Sequence, residues 1–304
     1  MINGIINVYK ERGFTSFDVV AKLRGILHER KIGHTGTLDP DATGVLPVCI
    51  GNATKVCDLL TDKDKVYRAV MHLGIATDTQ DMTGTVLADR EKEVAQLSEK
   101  TVKNAIMQFV GDYDQIPPMY SALKVNGKKL CDLARAGVEV ERKARLVTIF
   151  SIEIEQIHLP YVTMQVHCSK GTYIRTLCAD IGEVLGTGAC MESLVRTRVS
   201  VFTLEEAHTL TQIEQMRDDG TLESLILPVD RVFAGRPKYK VRPEAFRFLQ
   251  NGNRLRDANF EKKPEGITED ADQILVYDPM DRFYAVYQYE KETQDYKVRK
   301  MFGA

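Results

Sequence analysis

The stretch from residue 33 to 47, GHTGTLDPDATGVLP, constrains the fold of this chain more than any other. Three glycines, two prolines, two aspartates and a histidine occupy fifteen positions, too many breakers for a helix or for the interior of a strand. Apolar segments flank it, IINVY upstream and VLPVCI directly after. The chain thus sets a constrained polar loop inside its core region. Gly33, Gly36 and Gly44 permit positive φ or the close approach of another chain. Pro40 fixes its own φ and pushes Asp39 out of the helical region. A lone Asp-Pro is ordinarily a turn whose carboxylate caps nearby N–H groups. Here the density of constraints points to a rigid loop that holds one carboxylate in place.

Other loop chemistries fit poorly. A phosphate-cradling loop ends in Gly-Lys-Ser/Thr, whereas this one ends in GVLP. Asp39 and Asp41 form a pair of the kind glycosidases use, yet two residues apart on a loop they need not face one site. The G-x-S-x-G of serine hydrolases is absent. The six cysteines include no C-x-x-C pair and lie mostly in apolar surroundings, so they read as buried reduced thiols. The six histidines form no metal-like cluster with them, and no metal is expected.

The 304 residues suffice for one large domain or two ordinary ones, with 43% hydrophobic and 28% charged residues. No run approaches a membrane span and the first residues lack a signal-peptide layout, so a cytoplasmic protein is expected. Net charge is −2, but the charge is segregated. Residues 124–145 carry seven basic side chains against three acidic, and residues 236–256 carry seven against Glu244 alone. A chain of this kind can present a positive face while staying near neutral overall, although two solvated surfaces would read the same way.

Periodicity predicts a helix over 17–27 capped by Thr15 or Ser16, a buried strand VLPVCI, a short helix in ATKVCDLLT and one strand over VYRAVMHLGIAT. A helix follows over 98–110. The double proline of QIPPMYSALKVNGKKLCDLARAG opens an excursion from the domain. LVTIFSIEIEQIHL and YVTMQVHCSKG read as paired strands, TYIRTLCADIGEVLG as a helix ended by Gly186, and residues 211–226 as helical around Gly220. After about residue 235, short strands separated by turns indicate a small β-rich module.

GHTGTLDPDATGVLPVCIGNATK resembles the signature of the TruB family of tRNA pseudouridine-55 synthases. KERGFTSFDVV, DKVYRAVMHLGIATDTQDMTG, IPPMYSALKVNGKKLCDLARAG, CSKGTYIRTLCADIG and SLVRTRVS resemble further motifs of that family, in order along nearly the whole chain. The resemblance implies an α+β pseudouridine synthase fold: a mixed, mostly antiparallel sheet flanked by helices, over residues 1–232. It also implies an inserted RNA-binding thumb at about 115–145 and a PUA-like domain over 236–304. The thumb carries Cys131 where the family usually has tyrosine.

The resemblance further implies a cofactor-free isomerase acting alone on the T-arm of tRNA, as a monomer with no protein partner. Asp39 is the implied catalytic carboxylate, and Arg175 the arginine beside it, expected to keep it ionised by lowering its pKa. Tyr67 is implied to stack on the target base and handle a proton, Tyr173 and Leu194 to line the uracil pocket, and His34 to fill the gap left by the flipped base. On the residues alone, Tyr67 and Leu194 read as core and His34 as a turn histidine. Grip on RNA is expected from Lys10, from Lys124, Lys128 and Lys129, and from Arg236 and Lys238. A non-catalytic RNA-binding module and a small-molecule isomerase are the competing readings. The paired Asp39 and Arg175 weigh against the first, the basic segments against the second.

Overall fold

The computed structural model describes residues 2–125, 127–270 and 272–303; Asn126, inside the expected thumb, lies outside the described residues. The chain opens with β1 (Gly4–Lys10), α1 (Ser16–Leu27), β2 (Ile32–His34) and β3 (Thr43–Ile50). β1 and β3 pair antiparallel, Gly4 with Ile50 through Lys10 with Gly44. Their side chains alternate between two cores. Ile6, Val8, Leu46 and Val48 pack under α1, whereas Ile5, Val45 and Cys49 face the opposite side. Burial on both faces is why these strands read as continuous apolar runs. Thr15 caps α1, its side chain accepting from Asp18 N while Asp18 reciprocates to the Thr15 backbone.

The chain continues through α2 (Cys57–Thr61), β4 (Lys65–Leu73), β5 (Ile75–Thr77), β6 (Val86–Asp89), α3 (Glu91–Val94) and α4 (Glu99–Met107). The single strand expected over residues 66–77 is two. Gly74 takes φ +92°, and β5 leaves the main sheet to pair with β6. β7 (Gly111–Gln115) precedes the excursion, which holds the hairpin β8 (Lys124–Val125) and β9 (Lys128–Lys129) and the short α5 (Leu130–Arg135). β10 (Arg145–His158) and β11 (Tyr161–Cys168) pair antiparallel as expected. Then come α6 (Ile174–Leu185), β12 (Ala189–Val199), β13 (Phe202–Thr203) and α7 (Leu210–Asp218). The helix expected over 211–226 instead stops near Gly220, at φ +71°, because the αL geometry there ends the i→i−4 ladder.

The nine-stranded main sheet runs β1–β3–β12–β4–β11–β10–β7, with β2 beside β3 and β13 beside β12. All its described pairings are antiparallel except β12 with β3, which meet at Val195–Thr43 and Arg196–Gly44. The helices α4 and α6 cover one face of its β4–β11–β12 half through Val102, Ile106, Leu177 and Ile181. The last segment carries β14 (Lys238–Lys240), α8 (Phe246–Gln250), β15 (Gln273–Tyr277), β16 (Phe283–Glu290) and β17 (Asp295–Met301). These strands form a separate four-stranded sheet in the order β14–β15–β16–β17. It has its own core around Leu249, Phe260 and Tyr287. It also shares one with the body, where Leu275, Val286 and Phe302 meet Val45, Phe202 and Phe233. Among the described residues no helix is long and apolar enough to cross a membrane.

Candidate active site

The loop between β2 and β3 is tied down along its whole length. Leu38 and Ala42 are buried and pack in the same core as Tyr67 and Leu194. Leu38 N donates to Ser16 Oγ at 2.9 Å. Ala42 N donates to Asp39 O at 3.1 Å, closing a turn with Pro40 at its second position, where proline is favoured. Pro40 O accepts from Gly13 N at 2.9 Å and from Lys10 Nζ at 2.9 Å.

Arg196, on β12, holds the other half of the loop. It is 1% exposed, and its Nε donates to Val45 O at 2.7 Å, with Nη1 and Nη2 at 3.4 Å from Thr37 O and Gly36 O. Gly44 explains how the strands come so close. At φ +106° any Cβ there would lie 2.2 Å from Arg196 O. Gly36 is also left-handed, at φ +142°, while Gly33 is ordinary strand set against Cys57.

Asp39 leaves this scaffold with its side chain 41% exposed, against 7% for Arg175 beside it. Arg175 is the second residue of α6, whose start is fixed by Gln115. That buried amide donates to Tyr173 O at 2.9 Å and accepts from Tyr173 N at 2.8 Å. The guanidinium meets the carboxylate side-on, Nε 3.0 Å from Oδ2 and Nη2 3.3 Å from Oδ1. It also donates to Tyr120 O at 2.8 Å and Thr79 O at 3.1 Å, and its Nη1 lies 3.5 Å from Asp81 Oδ2. Asp81 is in turn held by Thr79 and by both Thr83 donors.

The pKa expectation for Asp39 needs correcting. Desolvation raises it, Arg175 opposes, Asp81 raises it again, and the net direction is upward. The guanidinium moderates the loss of water around the carboxylate without overcoming it. Burial also raises the Tyr67 and Tyr173 phenols, and Asp39 adds to both, so the three groups share one electrostatic neighbourhood. Tyr67 faces Arg196, and Tyr173 lies beside Ser121. Leu194 is buried against this cluster. The structure therefore gathers Asp39, Arg175, Tyr67, Tyr173 and Leu194. His34 stands at the loop's start, half-buried, its Nδ1 accepting from Gly36 N at 3.3 Å; burial lowers its pKa.

Lys10 is not a surface grip. It is 0% exposed, its Nζ bound to Glu11 O and Pro40 O, and desolvation brings its pKa to about 8. It holds the Asp39 turn from beneath. Lys124, Lys128 and Lys129 are all exposed on the β8–β9 hairpin, with no ion pair among the described residues. Lys238 is engaged by Asp230 at 2.9 Å, and Arg236 by Gln273. Asp41 sits outside the site, paired with Arg12 at 3.0 Å on the surface.

Residues 24–174 match the model of the TruB family pseudouridylate synthase N-terminal domain, and residues 175–234 that of the tRNA pseudouridylate synthase B C-terminal domain. A relative from Lachnoclostridium phytofermentans, tRNA pseudouridine synthase B, is 56% identical over 309 residues, 99% of this chain and all of the relative. The chain belongs to the TruB family of pseudouridylate synthases. A second relative of the same name, from Clostridium tetani, is 42% identical over 99% of both chains. The fold is similar to that in the structure of an H/ACA ribonucleoprotein bound to a substrate RNA containing 2′-deoxyuridine. There the TM-score is 0.74 with 27% identity, covering 99% of this chain and 85% of the other. The family membership agrees with the fold read from the sequence. The two family matches end at residue 234, before the four-stranded sheet.

Sequence reasoning missed Arg196, Asp81 and the clamping role of Gln115. Arg196 lies within SLVRTRVS, whose pattern gives no local sign that this arginine is buried.

Proposed function

We propose that the protein isomerises a uridine of tRNA, position 55 in the T-loop, to pseudouridine, with Asp39 as the catalytic carboxylate. The uracil N1–C1′ bond breaks, the base turns over, and C5 joins C1′; N1 gains a proton and C5 loses one. Nothing is added or removed overall, so the reaction needs no cofactor. The observation that carries this reading is Asp39. A partly exposed carboxylate stands on a loop fixed from both sides, forked by a buried arginine and close to two phenols, Tyr67 buried and Tyr173 half-buried. Such a group is preorganised to meet a sugar or a base.

Arg175 orients the carboxylate and favours its ionised form. Tyr67 lies under the flipped base, Tyr173 and Leu194 line its pocket, and His34 takes its place in the T-loop stack, offsetting a few kcal/mol of unstacking. Lys124, Lys128 and Lys129 reach the backbone of the T-arm from the thumb, residues 115–145. Arg236 and Lys238 belong to a PUA-like domain over 236–304, following a catalytic domain over 1–232, and contribute less. The protein works as a monomer in the cytoplasm, without a protein partner. The test is an unmodified tRNA transcript incubated with wild type and with Asp39→Asn, pseudouridine being mapped base by base. Modification of position 55 by wild type alone is expected. Modification elsewhere only, or an Asp39→Asn rate within tenfold of wild type, would refute the assignment.

A further inference from the structure

Where the C-terminal sheet meets the catalytic body there is a cavity of about 410 Å³, remote in sequence from the Asp39 loop. Its floor is apolar, formed by Val232, Phe233 and Val286, all buried. Its rim is cationic: Lys63 follows α2, Arg236 leads into β14, and Arg299 and Lys300 come from β17. Three separate segments thus bring four positive side chains to one concavity. The single acidic lining residue, Asp62, is already taken by Lys170 at 2.8 Å.

The cations are not neutralised internally. Among the described residues, Lys63, Arg299 and Lys300 have no carboxylate within ion-pair distance, and Arg236 meets only the neutral Gln273 and the Phe233 ring. Several other cations of the same module are paired. Lys238 meets Asp230, Lys240 meets Asp281, Arg254 meets Glu290 and Asp295, and Arg282 meets Asp278. Four like charges over low-dielectric walls repel one another and focus a positive potential into the cavity. An anion seated there removes that cost. The volume falls in the ordinary range for small-ligand sites. Guanidinium forks suit phosphate oxygens, and the ammonium groups add point charges.

We propose that this junction cavity binds a phosphate ester and that binding ties the C-terminal sheet to the catalytic body. The phosphate has two possible sources: the backbone of an RNA held at the Asp39 site, or a free nucleoside monophosphate. Only the first rests on the proposed function.

The test compares wild type with the combined Lys63→Gln, Arg299→Gln, Lys300→Gln variant. Binding of full-length unmodified tRNA, of an isolated T-arm hairpin and of AMP is measured against salt concentration. The RNA source predicts that the variant binds tRNA at least tenfold more weakly, with a log–log salt slope shallower by about two. Hairpin binding and turnover stay unchanged. The free source predicts that AMP binds wild type and raises its thermal midpoint, and does neither in the variant. Exchanging the charges conservatively, with Lys63→Arg, Arg299→Lys and Lys300→Arg, should preserve whichever binding is seen. A variant that binds tRNA and AMP as wild type does overturns the proposal. If wild type modifies neither RNA, the proposed function fails, while the AMP titration still decides the cavity.

Discussion

Arg196→Met should slow pseudouridine formation far more than it weakens RNA binding. The side chain is inaccessible, so RNA has nothing to lose at that position directly. What disappears is the clamp: the 2.7 Å bond to Val45 O, two 3.4 Å contacts to Thr37 O and Gly36 O, and the partner of the buried Tyr67 hydroxyl. The short charged bond is worth about 1.5–3 kcal/mol and an orphaned hydroxyl costs about 1–3 kcal/mol, while the two long contacts add little. Removing a buried cation with no carboxylate partner returns part of this, because its desolvation is no longer required. The net loss of stability is about 2–4 kcal/mol, a fall of roughly 5–15 °C in thermal midpoint for a body of this size. The loop then loses its hold on one side, and a misplacement of about 1 Å at Asp39 costs on the order of 100-fold in rate. Single-turnover rates and tRNA affinity, measured at a temperature where the variant is folded, separate the two effects. Arg196→Lys, able to reach one carbonyl, should recover part of the rate. A folded Arg196→Met enzyme with kcat within fivefold of wild type would refute the idea that this guanidinium sets the loop.

Gly44→Ala should be more damaging than Gly36→Ala, because its Cβ would strike Arg196 O at 2.2 Å whereas that of Gly36 stops 3.7 Å from Arg196 Nη1; urea midpoints of the two variants give the order. Lys10 has a folded pKa near 8 against 10.5 for the free side chain, so above pH 8 the unfolded chain binds more protons and stability rises with pH toward 10.5. The wild-type midpoint relative to that of Lys10→Met should therefore increase between pH 7 and 10, and a flat difference would place Lys10 in solvent. Neutralising Lys124, Lys128 and Lys129 together should weaken tRNA binding and flatten its salt dependence by about two in log–log slope; unchanged binding would remove the thumb from the RNA interface. His34→Ala should slow turnover on folded tRNA yet spare a short unstacked substrate. Equal slowing on both would make the histidine part of the loop scaffold, the role its bond to Gly36 N also allows.

The constrained loop and the arginine after CSKGTY were legible because breakers and motif order survive in one dimension. So were β10, β11 and α6, whose periodicity or caps are local. What stayed hidden depends on closure. Lys10 ends a strand and precedes Glu11, Arg12 and Gly13, a pattern that reads as solvated; only the Asp39 turn folding over it buries the ammonium. Arg196 reads as an exposed residue of a strand end, because nothing local announces that β3 runs parallel to β12 at that point. Asp81 sits in TQDMTG, an ordinary turn by composition. It reaches Arg175 because Gln80, at φ 63°, turns the chain against β12, where Met191 N donates to Gln80 O at 3.0 Å. The break at Gly74 was invisible because β4 and β5 are both apolar and differ only in which sheet receives them.

The same hidden residues set the charge of the site. Asp39 and Asp81 supply two negative charges, and Arg175, Lys10 and Arg196 supply three positive ones. His34 is pushed toward the neutral form, and both phenols are held protonated. The pocket therefore gathers three cationic side chains around its two carboxylates in poorly hydrated surroundings. Loss of water around Lys10, more than repulsion between the cations, lowers its pKa and costs the free protein stability. The arrangement favours any state in which further negative charge arrives, whether a phosphate drawn toward the loop or electron density leaving a cleaved glycosidic bond on the uracil ring. Carbonyl partners suit Lys10 and Arg196 better than carboxylates would. They anchor the loop while leaving the charge available to the substrate, whereas a buried acid beneath the loop would cancel it and raise the Asp39 pKa still further.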